Sequence, residues 1–151
     1  MKKLIAVCLI AVLIAGLGVL GGCAHSREDK VIRVGASPTP HAVILEALRP
    51  YIEAQGYTLE IVEFVEYVLP NTSLEAGEID ANYFAHRPYI EDFNAKNGTH
   101  VKSVFAVHFE PLGIYPGRSA SLDDLADKTF AIPNDTTNEA RALQLLAANG
   151  F

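Results

Sequence analysis

Asn138 and Arg141 stand three residues apart at the start of a segment with helical spacing, so they share one helix face. A guanidinium at Arg141 can hold a carboxylate through two parallel hydrogen bonds. The helix start adds unpaired N–H groups and a partial positive charge, both of which favour an anion. Asn138 can hydrogen-bond a neighbouring polar group. A plain capping arrangement with Arg141 in solvent accounts for the same spacing equally well. A second set, Tyr67, Phe84, His86 and Tyr89, comes from two neighbouring segments. Aromatics near strand ends can wall an apolar slot, with His86 as its polar edge; ordinary core packing is their other use. His108-x-Glu110 on a strand would put both side chains on one face, as an acid–base pair. No nucleophile motif accompanies it: G-x-S-x-G, Walker A and G-x-G-x-x-G are all absent. An enzyme is therefore not expected. His41, His86 and His108 match no zinc spacing and have no ligand thiol beside them, so no metal is expected.

Chemistry of another kind is concentrated at the N-terminus. Lys2 and Lys3 precede an uncharged apolar run, Leu4 to Leu20, which together read as a signal peptide. The run falls short of the ~20 apolar residues of a spanning helix, and Gly16, Gly18, Gly21 and Gly22 weaken its helical end. Leu20-Gly21-Gly22-Cys23 resembles the bacterial lipobox, in which the chain is cut before a diacylated cysteine. Residues 1–22 are thus expected to be a leader, Cys23 the lipid attachment point, and 23–30 a short polar tether; an uncleaved anchor is the alternative. Diacyl and N-acyl chains on one cysteine exceed the two-signal minimum for stable anchoring. Cys8 would leave with the leader, so no disulfide is available and the core must hold the fold. Without Lys2 and Lys3, 10 basic side chains face 18 acidic ones. That acidic balance argues against nucleic acid as a partner.

These candidates need elements to position them, and the mature chain alternates strand and helix signals. Val31–Ala36 reads as a first strand. Thr39 as N-cap and Pro40 at N1 start a helix, which Ile44, Leu48, Tyr51 and Ile52 continue. Pro50 predicts a kink or a tightened turn in it. Further strands are expected at Leu59–Val65, Ile79–Phe84, Val101–Phe109, Leu112–Tyr115 and Thr129–Ile132. Further helices are expected at Pro70–Ala76, Pro88–Lys96, one turn at Ser121–Leu125, and Thr136–Ala148, the last with Thr136 and Glu139 as a capping box. The near-continuous apolar run Leu59–Val65 predicts burial on both faces. Such alternation means an α/β domain with a mostly parallel sheet. The segments rich in polar and aromatic residues mostly follow strands. Ligands in open α/β sheets bind outside the carboxyl ends of strands, so these loops should converge on one cleft.

In order along the chain, the segments resemble one family. They are Val34-Gly35-Ala36-Ser37-Pro38 with Pro40-His41-Ala42; Val62-Glu63-Phe64 with Tyr67-Val68 and Pro70-Asn71; and Gly77 to Phe84 with His86 and Pro88-Tyr89. His108 to Tyr115 and Ile132-Pro133-Asn134-Asp135 with Thr137-Asn138-Glu139 and Arg141-Ala142-Leu143 complete the pattern. The resemblance is to the NlpA/MetQ family, the lipoprotein substrate-binding subunits of methionine ABC importers. It implies a type II periplasmic-binding-protein fold, two α/β lobes around a ligand cleft. Residues 31–107 would form the first lobe, and 108–151 the crossover and the start of a second lobe that is incomplete here. Tyr67, Phe84, His86 and Tyr89 would line the thioether pocket, Arg141 would pair with the ligand carboxylate, and Asn138 would hold its polar backbone groups. The implied partners are L-methionine or a related amino acid, an ABC permease with its ATPase subunits, and the membrane through the lipid anchor, with the protein facing the periplasm or cell exterior. No cofactor is implied. The alternatives are another amino acid or a short peptide as cargo, or a membrane-tethered hydrolase using His108 and Glu110.

Overall fold

Val31–Ala36 forms strand β1, whose last three residues are buried. It pairs in parallel with Thr58–Glu63 (β2) on one side and Ala81–Tyr83 (β3) on the other, giving the order β2-β1-β3. The computed structural model describes residues 30–119, 121 and 128–151. The leader, Cys23, nearly all of the tether, and all of the expected turn Ser121–Leu125 except its first residue lie outside the described residues. Among the described residues no helix is long and apolar enough to cross a membrane.

Parallel neighbours require crossovers, and helices supply them. Val43–Ala54 (α1) joins β1 to β2, and Leu69–Glu75 (α2) joins β2 to β3. A wide turn, Pro38–Ala42, leads into α1 and is closed by the Ala42 amide on the Ser37 carbonyl at 3.0 Å. Thr39 is extended within that turn (φ −138°, ψ 131°), so regular helix begins after it. The helix runs through Pro50 to Ala54. Ala42, Leu45, Val34, Ala36 and Leu59 form the core between helix and sheet, with Ile52 and Ile61 packed against it. Leu48 and Tyr51, expected on the apolar stripe, are exposed. The stripe turns instead through Arg49, whose guanidinium bonds the Leu59 carbonyl at the sheet edge.

β2 is not buried on both faces. It is an edge strand: Leu59 is buried while Thr58, Glu60 and Glu63 are exposed, and Val65 lies outside the strand. Gly35 serves close packing at the sheet centre. A Cβ there would meet Ile79 Cδ1 at 2.6 Å and the Phe64 ring at 2.9 Å. After β3, Arg87–Asn97 (α3) ends at Gly98, whose left-handed φ of 66° turns the chain out of the helix. Asn94 fixes the exit: its amide donates to the Val101 carbonyl at 2.7 Å, and its oxygen accepts from Thr99 Oγ1 and the Val101 amide.

The strands expected at Val101–Phe109, Leu112–Tyr115 and Thr129–Ile132 do not form among the described residues. A strand needs a partner to take its backbone hydrogen bonds. None is present among the described residues, and Val104, Phe105, Phe109 and Tyr115 are exposed. The last helix, Thr136–Ala148 (α4), has its expected bounds but a different cap. Asp135 is the N-cap, and its side chain accepts from the Asn138 amide.

Candidate ligand-binding site

The carboxyl ends of the three strands lie side by side at Ala36, Glu63 and Tyr83. Each is followed by a candidate residue: His41 after β1, Tyr67 after β2, Phe84 and His86 after β3. These residues, the segment 102–112 and the first turns of α4 enclose a cleft of about 860 Å³. Its lining includes Tyr67, Phe84, His86, Asn138 and Arg141. A sheet edge, a loop and a helix N-terminus therefore bring together residues that lie more than seventy positions apart in the sequence.

The aromatic wall is built edge to face. Tyr67 meets Phe84 with ring centroids 5.0 Å apart at 77°, and Tyr89 at 4.6 Å and 60°. Tyr89 is not in the lining. It is buried with Phe84 and Phe93, and its hydroxyl donates to the Tyr67 carbonyl at 3.2 Å, so it supports Tyr67 from behind. His86 stacks on Tyr89 at 6.5 Å and 16°. Burial pushes the Tyr89 hydroxyl up to about 12. Burial also raises the Tyr67 hydroxyl, against the opposing effect of Asn138 beside it. Burial, and then the nearby Arg141 charge, hold His86 below its ordinary value, so its neutral form is favoured. His86 Nε2 is shut off from solvent and has no hydrogen-bond partner among the described residues.

Next to the wall, with Asn138 beside the Tyr67 hydroxyl, the polar residues of α4 are ordered in a chain. Asp135 accepts from the Asn138 amide at 2.9 Å, from the Asn138 side chain at 3.0 Å and from Thr137 Oγ1 at 2.8 Å. Burial alone would raise the Asp135 carboxyl, but these hydrogen bonds outweigh it and leave its pKa lowered. Its carboxylate occupies the helix N-terminus that the sequence pattern offered to a ligand anion. Arg87 and Lys102 also line the cleft, and the anion-binding group beside this chain of hydrogen bonds is Arg141. Its Nη1 donates to Asn138 Oδ1 at 2.8 Å and its Nη2 to the Glu110 carbonyl at 3.3 Å. Arg141 is thus a held helix residue rather than a solvated one. The roles of Asp135 and of the Glu110 carbonyl were not foreseen. A D-T-T-N run is a cap signal that places Asp as readily as Thr at N-cap, whereas a backbone acceptor leaves no mark in sequence.

A third cluster lies on the same cleft wall. His108 Nε2 is 3.0 Å from Glu110 Oε1, and His41 Nε2 is 3.6 Å from the same oxygen. His41 Nδ1 is hydrogen-bonded to Ser37 Oγ at 2.6 Å, and His108 Nδ1 to the Tyr83 hydroxyl. His86 belongs to the aromatic wall, away from this pair.

Comparison with known proteins agrees with this architecture. The Bacillus subtilis methionine-binding lipoprotein MetQ is 39% identical over 158 aligned residues, which cover 100% of this chain and 56% of the relative. The crystal structure of a Ruminococcus gnavus lipoprotein superposes with a TM-score of 0.76 at 53% identity, over 80% of this chain and 50% of that one. A nutrient-binding protein from Burkholderia cenocepacia, solved bound to methionine, superposes with a TM-score of 0.72 at 35% identity, over 79% of this chain and 50% of that one. The chain spans about half the length of the relatives it matches. The profile of the NlpA lipoproteins matches residues 32–151. With a parallel sheet, a cleft at its carboxyl edge and that match over most of its length, the chain belongs to the NlpA lipoprotein family.

Proposed function

We propose that this chain carries the grip of a substrate-binding lipoprotein that captures methionine and hands it to an ABC permease with its ATPase subunits. The observation that carries the reading is the placement of a held guanidinium, Arg141, in one cleft with an aromatic wall, Tyr67, Phe84 and His86. An amino acid with an apolar, polarizable side chain fits that pairing: its carboxylate meets Arg141 and its thioether meets the ring edges. His86, also in the lining, gives the slot a polar edge. Asn138, already bonded to both Asp135 and Arg141, orients the guanidinium and leaves the ligand's backbone groups within its neighbourhood. Membership of the family, the name of the Bacillus relative and the methionine bound to the Burkholderia relative support the same cargo.

On this reading the protein performs no chemistry. Ligand shifts an equilibrium between open and closed arrangements by its differential affinity for them. Lipid on Cys23 keeps the protein on the membrane beside its permease, facing the periplasm or cell exterior. Calorimetric titration of the mature protein with L-methionine, D-methionine, other amino acids and short peptides tests the cargo. L-methionine is expected to give the tightest binding and to be recovered unmodified. Heat from another solute alone would redirect the cargo, and conversion of the ligand that is lost in His108→Ala would favour the hydrolase.

A further inference from the structure

We propose that His41, His108 and Glu110 form a binding site for one divalent transition-metal ion of the zinc type. The three donors converge. His108 Nε2 and His41 Nε2 lie 3.0 and 3.6 Å from the same Glu110 oxygen, and all three ligand atoms fall within 4.8 Å of one another. Metal–donor bonds of about 2.0–2.1 Å at tetrahedral angles put neighbouring donors roughly 3.3 Å apart, inside the observed span. Small side-chain shifts would bring the three donors to that spacing.

Both rings are also held as metal ligands are held. A ligating histidine gives its second nitrogen to a fixed partner, which sets the tautomer and the ring plane. Here Ser37 Oγ occupies Nδ1 of His41 and the Tyr83 hydroxyl occupies Nδ1 of His108. Where Nδ1–H donates to those hydroxyls, both Nε2 lone pairs are free for an ion beside the carboxylate oxygen; in the other tautomer Nε2–H donates to Glu110, and an ion would displace that proton. Three potential donor atoms facing one another can take one cation between them. An ion shared by all three would replace both histidine–carboxylate contacts.

The donor set indicates the metal. Two imidazoles and one carboxylate, with no thiolate, suit zinc and its borderline neighbours better than calcium or magnesium. Three protein donors leave a fourth position for water on the cleft side, where His41, His108 and Glu110 all belong to the lining. Its donor set includes neither Arg141 nor the aromatic slot, although Arg141 rests on the Glu110 carbonyl, so metal retention is measured apart from methionine binding. Its ligands come from the turn after β1 and from the segment beyond Val101, so no sequence spacing announces it.

Equilibrium dialysis of the full chain, made without a histidine tag and stripped with chelator, tests the site against zinc, with metal counted by mass spectrometry. One equivalent is expected to be retained. His41→Ala, His108→Ala and Glu110→Gln should each weaken retention at least tenfold, whereas His100→Ala, at the exposed His100–Glu75 pair, should not. Retention of no zinc, retention unchanged in the three variants, or loss in His100→Ala would overturn the proposal. Cobalt in the unsubstituted chain gives a reading that does not depend on variants folding. The strong visible bands of four-coordinate cobalt support the site, and only the weak absorption of the hydrated ion refutes it.

Discussion

Two stretches of this chain have similar apolar content and opposite fates. From Val31 to Val101, the apolar residues of the strands and of α3 go into two buried clusters, around Leu59 and around Phe84. From Lys102 to Tyr115, Val104, Phe105, Phe109 and Tyr115 face solvent. The difference is one of partners. The first stretch contains all three strands of its sheet and the helices that cover it. The second carries a strand pattern with no strand beside it among the described residues. Apolar alternation is thus a statement of what a segment can bury, and burial waits on a second segment. The cleft draws on both stretches: the first gives its aromatic wall, and the second lines it and offers the Glu110 carbonyl that holds the Arg141 guanidinium of α4.

The largest expected effect tests that division of labour. If Arg141, held from the second stretch by the Glu110 carbonyl, supplies the grip, Arg141→Ala should cost about 2–5 kcal/mol of methionine affinity, roughly thirtyfold or more by calorimetry, with little change in melting temperature. A near-unchanged affinity would place the grip elsewhere. Next comes the core contrast. Leu59→Ala removes a fully buried side chain and should cost about 2–5 kcal/mol of stability. Phe105→Ala, on an exposed ring, should stay within about 0.5 kcal/mol. Equal losses in denaturant titrations would show that the later stretch packs as the first does. Asp135→Ala loses the cap of α4 and should cost about 1 kcal/mol, together with a weaker methionine grip, because Asn138, which holds Arg141, loses its anchor.

A smaller effect should appear with pH. His86 has its pKa lowered in the folded state, by burial first and by Arg141 second. The unfolded chain therefore binds more protons between that lowered value and 6.5. The stability His86 contributes is complete above pH 6.5 and is lost as pH falls through the lowered value. The difference in stability between wild type and His86→Gln should accordingly narrow on acidification. A difference that holds constant down to pH 5 would remove the electrostatic account of this residue.

Much of the frame was legible before the structure. β1 and α4 carry their expected bounds, and the other helices and the two further strands fall within a few residues of theirs. The Asn138/Arg141 spacing and the aromatic pairings pointed to residues that do meet in one cleft. The departures share a cause. β2 reads as doubly buried in sequence yet sits at an edge. Tyr89 reads as lining yet stands behind Tyr67. His41 and His108 match no metal spacing in sequence yet share a carboxylate. In each case the deciding neighbour comes from a distant segment.

By itself, the sequence determined the helices, the parallel α/β class and the residue types available to a ligand. Helix hydrogen bonds close within four residues and apolar period is a local property, so both are readable along the chain. Only the tertiary structure decided which strand is an edge, which aromatic faces the cleft, that Asp135 fills the helix N-terminus and steadies the grip on Arg141, and that two histidines meet Glu110. Those outcomes depend on where separate segments come to rest, and a strand, a slot or an ion site exists only once they have met.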